Sequence, residues 1–544
     1  MFVPSLVCRK HKIANHIHTS RVLQTFNTKK QVVIKCKSHP YTAESAARVG
    51  ATVSAPAEES VRTTTRHQGP ASFARMSARA VHVNPVLSSS GATRSKKVGG
   101  RFGVVKATRG RYASRCAAAQ SVDDVGEIEE LHASFPLSRE QWDNFMKEYW
   151  QKRPVVIRGA LEPGEASMPI DSSELAGLAC ESEFQPRILK KGSNGPSDWS
   201  LDLGPFTEEE LQSLPSDGSW CVVVNDLEKH IPEATKLLNV FDHFPRWRVA
   251  DVQASLSGEG GGVGAHSDQF DVFLMQGEGR KRWSISDDPE YAPEKEESFF
   301  ENIDVRVLKD FQPKARSLLE PGDVLYLPPR VAHHGIAEGC DAVCVTYSIG
   351  FLAPTQDDLI LSYAQSAVDT RNAVTERWSD PWLEPQAEVG QISQAAVKRA
   401  GDIIRDSMPK TEADIARWFG CHVTGNLGFD GEQAVPEEKL SPDELQDVWA
   451  EEGALIRRAH VKFAFIDEVA DGSLEGCLFF AGGEVWQLKS ASSIQLARHI
   501  ANNDEIMAEN WQGLSVGNCH EIDDDGLALV HDLFSSGFLF LDGD

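Results

Sequence analysis

The chain has 544 residues and a formal net charge of −25, which is distributed very unevenly. Residues 1–122 contain 21 Lys or Arg and only three acidic residues, so residues 123–544 have a net charge of −43. Such an acidic body disfavours binding to a nucleic-acid backbone and favours a basic protein as partner, although solubility alone would also explain it. The length allows two to four domains.

Cysteine use and hydropathy exclude two further classes of protein. The ten cysteines are scattered and none forms a Cys-x-x-Cys pair, which is typical of a reduced compartment and gives no zinc motif. No apolar run approaches the roughly 20 residues that cross a bilayer, so we expect no membrane association.

Residues 1–122 have the composition of an organelle transit peptide. They are rich in Ser, Thr, Ala and Arg, nearly free of acids, and lack the apolar core of a secretory signal. The alternative interpretation is a disordered basic tail. The Ser/Thr content and the segments 104–109 and 115–119 favour the chloroplast over the mitochondrion, and Met1 and Met76 are both candidate starts.

Residues 123–355 alternate short β-branched segments with Gly and Pro turns, which predicts an all-β barrel or jelly roll with a few helices. Ser138 and Gln141 have the spacing of a capping box at the start of a helix. The predicted elements are helices over 138–150 and 228–240 and strands over 152–159, 220–224, 247–256, 305–308, 324–327 and 342–349.

Two further regions follow the predicted β domain. Residues 356–424 show helical periodicity and are either an association element or a cap on the same domain. Residues 425–544 contain helical segments and a Gly-Gly hairpin over 478–488, which favour a small winged-helix unit. Because a winged helix this acidic would bind DNA poorly, we expect it to contact protein.

The segment 261–285 contains the chemically most informative pattern of the chain. His266 and Asp268 are two residues apart in a glycine-led segment that we predict to be a strand, so their side chains would point to one face. An imidazole and a carboxylate converging in this way provide two of the three ligands of a two-histidine, one-carboxylate Fe(II) site.

A third ligand is available 67 residues after His266. The motif Pro328-Pro329-x-x-x-His333 follows a predicted strand, and His334 is an equally good imidazole by position. A His-x-Asp pattern alone occurs often by chance. Its combination with this motif and with a Gly-Arg-Lys-Arg-Trp segment is far more specific and predicts bound iron, with free positions for a cosubstrate and O2.

The basic triplet 280–282 is the candidate anchor for that cosubstrate. A cosubstrate with two carboxylates would chelate iron with one and need a buried cation for the other. Strand alternation places Lys281 on the opposite face from Arg280 and Arg282. The alternative is a solvated hairpin end.

Three segments carry a resemblance to a known family. Residues 261–273, 277–283 and 325–333 resemble the JmjC/cupin-type ribosomal oxygenases, most closely the bacterial arginine hydroxylases of a large-subunit ribosomal protein. The likeness extends, more weakly towards the C-terminus, over essentially everything after residue 130. It implies a double-stranded β-helix over 123–355, a helical dimerisation region over 356–424 and a winged-helix domain over 425–544.

The resemblance also implies roles for individual residues. His266, Asp268 and His333 match the metal ligands at the catalytic centre, so the family pattern favours His333 over His334. Lys281 matches the cation that binds the C5 carboxylate of 2-oxoglutarate, where bacterial members tend to have arginine. Ser348 matches a position that would add a hydroxyl contact to the cosubstrate.

The predicted function is therefore an Fe(II)- and 2-oxoglutarate-dependent dioxygenase that uses O2 to hydroxylate a side chain, by resemblance an arginine, of a basic large-subunit ribosomal protein. We expect a homodimer in an organelle. The alternatives are a histidyl hydroxylase, a lysine demethylase, or a non-catalytic cupin scaffold that binds a ribosomal protein.

Overall fold

The computed structural model describes residues 125–164, 169–195, 197–215, 218–241, 243–301, 303, 305–339, 343–369, 377–425, 435–436, 439–511 and 522–541. The predicted transit peptide over 1–122 lies outside the described residues. Among the described residues, no helix is long and apolar enough to span a membrane.

Strands dominate the first half of this described part. In chain order they are β1 (Gly126–Glu127), β2 (Glu130–His132), β3 (Val155–Arg158), β4 (Arg187–Lys191), β5 (Trp199–Leu203), β6 (Trp220–Val224), β7 (Val249–Ser257), β8 (Asp271–Glu278), β9 (Lys281–Ser286), β10 (Ala315–Leu319), β11 (Val324–Leu327), β12 (Ala332–Ala337), β13 (Cys344–Phe351), β14 (Ala454–Arg457), β15 (Phe463–Ile466), β16 (Cys477–Ala481), β17 (Glu484–Leu488), β18 (Glu505–Met507) and β19 (Leu539–Leu541).

The α-helices are short in the first half and longer in the second. They are α1 (Arg139–Glu148), α2 (Ser172–Leu178), α3 (Glu208–Gln212), α4 (Leu227–His230), α5 (Pro232–Thr235), α6 (Gln356–Asp369), α7 (Gln394–Ser407), α8 (Glu412–Thr424), α9 (Pro442–Glu452), α10 (Ala491–Asn502) and α11 (Asp524–Ser535).

Two facing sheets form the body of the first half. The larger has the order β2-β3-β11-β8-β13-β7-β6-β4-β5, and the smaller has the order β1-β10-β9-β12. Buried Leu274 and Leu325 from the larger sheet pack in one apolar cluster with Trp283 and Ile285 from the smaller sheet. This arrangement of mostly antiparallel strands is the predicted cupin-like, sheet-rich fold.

Aromatic side chains cover the outer face of the larger sheet. Helix α1 begins at the predicted capping box, in which Ser138 and Gln141 bond reciprocally to each other's backbone. Its Phe145 ring lies 5.6 Å from Phe273 of β8 and 5.0 Å from Tyr326 of β11. Because alternate residues of a strand point to opposite faces, this packing directs the residues between them into the space between the sheets.

Two predicted elements differ in the structure. Residues 305–308 do not form a strand: Leu308 makes a single bridge to Phe299, and its backbone N–H donates to Ala265 O at 2.8 Å. The predicted helix over 228–240 is broken into α4, α5 and a 3-10 turn, Lys236–Phe241. Pro232 explains the break, since it has no N–H to continue a helix.

The second half consists of helices α6–α8 and two three-stranded sheets, β15-β16-β17 and β18-β14-β19, with helices α9–α11. Arg246, just before β7, contacts this half through an ion pair with Asp504 and a 3.2 Å hydrogen bond to Asn502 O. The winged-helix assignment and the domain boundaries stay predictions.

Candidate metal centre

One β-bridge joins the two chain segments that carry the candidate metal ligands. His266 N donates to His333 O at 3.0 Å, and His333 N donates to His266 O at 2.7 Å. His266 and Asp268 lie in the loop between β7 and β8, so the prediction that they share a strand was wrong. The bridge to β12, and not strand alternation, brings the side chains together.

Glycines make this close approach possible. A Cβ on Gly262 would lie 2.1 Å from Gly335 O of β12, which is far inside any permitted contact. Gly264 has a φ of +90°, a conformation that residues with a side chain rarely adopt. The glycine run before His266 therefore lets one backbone pass against another.

His266, Asp268 and His333 form a compact donor set. Asp268 Oδ2 lies 3.9 Å from His266 Nε2 and 3.6 Å from His333 Nε2, and the three ligand atoms all lie within 4.8 Å of one another. No other group of at least three His, Cys, Asp or Glu side chains in the described residues has this geometry.

Backbone carbonyls determine which imidazole nitrogen is free in each histidine. His266 Nδ1 lies 3.0 Å from Gly264 O, and His333 Nδ1 lies 3.0 Å from Val331 O. A carbonyl oxygen only accepts, so each Nδ1 carries a hydrogen and each Nε2 is the ring nitrogen on the side of Asp268. Burial also lowers the pKa of His333 to about 4, which keeps this imidazole neutral.

His334 does not join the donor set. Its ring faces Phe311 at 6.2 Å, and burial lowers the pKa of His334 to about 4. Adjacent residues on β12 point to opposite faces, so only one of the two histidines can face Asp268. The structure thus distinguishes His333 from His334 as the candidate ligand, which their positions in the sequence did not.

Lys281 lies in the interior between the two sheets. Its side chain is 3% exposed, its Nζ donates to Ser255 Oγ at 3.3 Å, and the same Nζ lies 5.7 Å from the Trp283 ring centre. Among the described residues, no carboxylate lies within ion-pair distance of this ammonium. A buried charge without a counter-ion is costly, so the position suits an anionic ligand.

The two arginines beside Lys281 face outward, as alternation predicted. Arg280 is exposed, and Arg282 forms a bidentate ion pair with Glu338. The hairpin-end interpretation therefore applies to these two residues and not to Lys281.

Ser348 and Ser255 share the inner face of the larger sheet. Ser348 of β13 pairs with Gln253 of β7 and Leu274 of β8, and the next inward residue, Thr346, pairs with Ser255. A contact of Ser348 with a cosubstrate stays a prediction. Ser255, which contacts Lys281 directly, was not predicted.

Asp251 is a second inward residue that the sequence analysis missed. Val252 and Ala254 of β7 are buried in the aromatic cluster of the outer face, which directs Asp251, Gln253 and Ser255 inward. Burial raises the pKa of Asp251 to about 6. The alternation of polar and apolar residues along β7 was the available signal.

The comparisons with known proteins agree with this geometry. A family model described as "JmjC domain" matches residues 236–359, which include all three donor residues. The Ribosomal protein uL16 3-hydroxylase of Escherichia coli K12 is 29% identical over 406 residues, covering 74% of this chain and 98% of that protein. This chain has a JmjC domain and is a homologue of the ribosomal oxygenases.

A second relative and a solved structure support the same relationship. The JmjC protein is 29% identical over 320 residues to a "Probable ribosomal oxygenase" of Haemophilus influenzae, covering 57% of this chain and 75% of that protein. The structure of YcfD, an E. coli ribosomal oxygenase in complex with cobalt and 2-oxoglutarate, matches with a TM-score of 0.60 and 28% identity, covering 75% of this chain and 99% of that one.

Proposed function

We propose that this JmjC protein is an Fe(II)- and 2-oxoglutarate-dependent hydroxylase of a ribosomal protein, and that it acts on an arginine of a large-subunit protein in an organelle. One observation carries the enzyme class: two imidazoles and a carboxylate converge in the same interior that contains a buried, unneutralised lysine. The cobalt and 2-oxoglutarate complex of the solved homologue agrees with the predicted cofactors.

The donor set fits Fe(II) by its chemistry. His266 and His333 each offer an Nε2 atom, Asp268 offers a carboxylate oxygen, and two of the three side chains are only partly buried. Three protein ligands leave positions open on the metal for a cosubstrate and oxygen. The two carbonyl contacts at Nδ1 orient the imidazoles before any metal binds.

Lys281 would hold the distal carboxylate of 2-oxoglutarate. On β9 it lies four residues before Ile285, which pairs with His333, so the two positions are separated by about 13 Å along the strand. Both side chains lie on the inner face of the smaller sheet, so they would contact opposite ends of a short dicarboxylate that chelates the metal. Ser255 orients the ammonium, and we assign Ser348 a supporting hydroxyl contact.

Bound Fe(II) and 2-oxoglutarate supply the activation of O2 that inserts one oxygen into an unactivated C–H bond. The residues of this chain bind the two cofactors, orient them and exclude water from the interior. The apolar cluster of Leu274, Trp283 and Ile285 performs the last of these tasks.

Asp251 favours a cationic target side chain. It is an inward carboxylate on β7, and Gly350 of β13 lies so close that a Cβ there would be 3.1 Å from Asp251 Oδ1. A side chain at position 350 would therefore crowd the carboxylate, and glycine avoids this contact. A guanidinium would form a charge-assisted, bidentate contact with it, which supports arginine as the substrate residue.

A strongly acidic segment next to the metal ligands favours a basic protein substrate. Residues 287–301, here named the acidic segment, contain seven Asp or Glu and one Lys. The segment contacts the loop between β7 and β8 that contains His266 and Asp268, here named the ligand loop, since Ser267 Oγ donates to Tyr291 O. A ribosomal protein rich in Lys and Arg would be attracted to this surface.

The helical region supports a homodimer. Thirteen of the eighteen large apolar side chains that are exposed among the described residues lie within residues 360–415, including Leu361, Trp382 and Val397. Apolar surface concentrated in this way typically marks a protein–protein interface. For the organelle, the support is the basic, acid-poor composition of residues 1–122.

The iron-free scaffold is the weaker alternative, because a scaffold has no use for a donor set of two imidazoles and a carboxylate beside a buried cation without a counter-ion. Anaerobic addition of Fe(II) and 2-oxoglutarate should produce a weak visible charge-transfer band, and His266→Ala should abolish it. A protein without the band would not be this enzyme.

The substrate is tested by mass spectrometry of organellar ribosomal proteins with and without the active enzyme. We expect one arginine-containing peptide of a large-subunit protein to lose a single added oxygen when the enzyme is absent. Hydroxylation of a histidine, or demethylation of a lysine, would instead support the alternative substrate classes.

A further inference from the structure

Arg330 has an unusual backbone conformation close to the metal ligands. It lies between β11 and β12, three residues before His333, and its φ is +72°. This left-handed region is unfavourable for a residue with a side chain and is ordinarily occupied by glycine. Such a conformation at a functional site persists only when surrounding contacts hold it.

Two contacts hold Arg330, one at each end of the residue. Its backbone N–H donates to Asp268 O at 2.7 Å. Its guanidinium Nη1 lies 2.5 Å from Glu294 Oε1, and both side chains of this ion pair are more than half exposed. Arg330 therefore connects the ligand Asp268 to the acidic segment.

The acidic segment is itself fixed around this contact. Ser267, which lies between the ligands His266 and Asp268, donates to Tyr291 O at 2.5 Å. On the far side, Arg306 Nη1 lies 2.6 Å from Glu296 Oε1. The segment thus contacts the ligand loop at Ser267 and through Arg330, immediately beside Asp268 in both cases.

Stability does not explain an arginine at this position. A glycine would adopt the same turn without strain and would keep the N–H that bonds Asp268. An exposed ion pair such as Arg330–Glu294 contributes little to the free energy of folding. Compared with glycine at this position, Arg330 adds only the ion pair between the turn and Glu294.

We propose that Arg330 is a positioning residue for Asp268, kept in its left-handed conformation by Glu294 of the acidic segment. The inference rests on the proposed function, in which Asp268 is a metal ligand. When the ion pair is broken, the turn relaxes, the hydrogen bond to Asp268 O is lost, and the carboxylate moves relative to His266 and His333. The acidic segment, which would bind a basic substrate, would therefore also determine the position of Asp268 in the metal site.

Metal affinity tests this proposal without turnover. Co(II) binding to the full chain in the presence of 2-oxoglutarate is measured by calorimetry and by the visible d–d spectrum. Glu294→Gln removes the charge of an exposed side chain and leaves the backbone untouched. We expect it to weaken Co(II) binding by up to about 5-fold, the upper limit for an exposed ion pair.

The same Glu294→Gln substitution is then made in the Arg330→Gly variant, because glycine adopts the left-handed turn without an ion pair to Glu294. We expect Arg330→Gly and the Arg330→Gly/Glu294→Gln double variant to bind Co(II) equally. Asp287→Asn is the matched control, since it breaks a 2.6 Å ion pair with Lys314 in the same segment, and we expect no change. Thermal unfolding of each metal-free variant checks that the fold is retained.

Two results would overturn the inference: unchanged Co(II) affinity in Glu294→Gln, or an equal loss from this substitution in the Arg330→Gly background. Failure of the proposed function would look different, because the unsubstituted protein would then not bind Co(II) at all.

Discussion

Single hydrogen bonds decide the chemistry of the metal-site residues. The carbonyl oxygens of Gly264 and Val331 fix the tautomers of His266 and His333, so that both Nε2 atoms are ready to bind a metal. Lys281 is held in the same way by one hydroxyl, that of Ser255. The ligand identities were legible in the sequence, but these orienting partners were not, because backbone carbonyls have no sequence signature.

Replacing Lys281 tests its role as the carboxylate anchor. We expect Lys281→Met to weaken 2-oxoglutarate binding by about 10- to 100-fold, the loss of one charge-assisted hydrogen bond in a buried site. The affinity is measured by adding 2-oxoglutarate to the Fe(II)-loaded protein and following the charge-transfer band. Arg280→Met, at the exposed neighbouring position, should leave the affinity unchanged; equal losses in both variants would refute the assignment.

Replacing Asp251 tests recognition of a cationic substrate. We expect Asp251→Asn to raise KM for an arginine-containing ribosomal peptide about 10-fold or more, because the amide loses a charged contact with the guanidinium. Binding of 2-oxoglutarate should remain, since Asp251 does not contact Lys281. Kinetics with the peptide and the charge-transfer titration separate the two effects, and an unchanged KM would contradict this role.

At the scale of elements, the loop between β7 and β8 contributes most to the candidate metal site, because it contains both His266 and Asp268. The sequence predicted β6 and β11 at their observed bounds and β7 and β13 within a few residues. It placed His266 on a strand, whereas one bridge to His333 provides the pairing. Local patterns predict a strand but not which distant segment a loop will meet.

Gly262→Ala tests that bridge. The added methyl group would lie 2.1 Å from Gly335 O, so the loop must move away from β12 and separate His266 from His333. We expect loss of Co(II) binding, measured by calorimetry, with the far-ultraviolet circular dichroism spectrum retained. Gly390→Ala, where a Cβ meets nothing within 4 Å, is the control. Normal Co(II) binding by Gly262→Ala would show that the bridge is dispensable.

At the scale of the whole molecule, the exposed apolar side chains of the described residues are concentrated in one region. Residues 123–544 have a net charge of −43, and most of the exposed apolar side chains lie on helices α6 and α7 and in the segment between them. We expect this apolar region to mediate self-association, which would leave the acidic segment free to bind substrate.

Leu361→Asp tests the homodimer. Leu361 is 68% exposed on α6, so a charge there costs little in a monomer but must be desolvated in an apolar interface. We expect the dimer to dissociate at micromolar concentration, measured by sedimentation velocity. Leu203→Asp, at a comparably exposed leucine on β5, should leave the dimer intact. A monomeric unsubstituted protein would reject the dimer itself.

The candidate chemistry could be predicted from the amino-acid sequence, because ligand types and the spacing of their motifs are local properties of the chain. His266, Asp268, His333 and Lys281 were all identifiable, as was the sheet-rich JmjC fold that the comparisons support. Only the tertiary structure decided between His333 and His334 by geometry, showed Asp251 and Ser255 facing inward, and brought Arg330 between Asp268 and Glu294. The contacts of His333 and Arg330 with Asp268 join residues that lie far apart in the chain, so no local pattern predicts them, whereas the alternation along β7 was a local signal for Asp251 and Ser255.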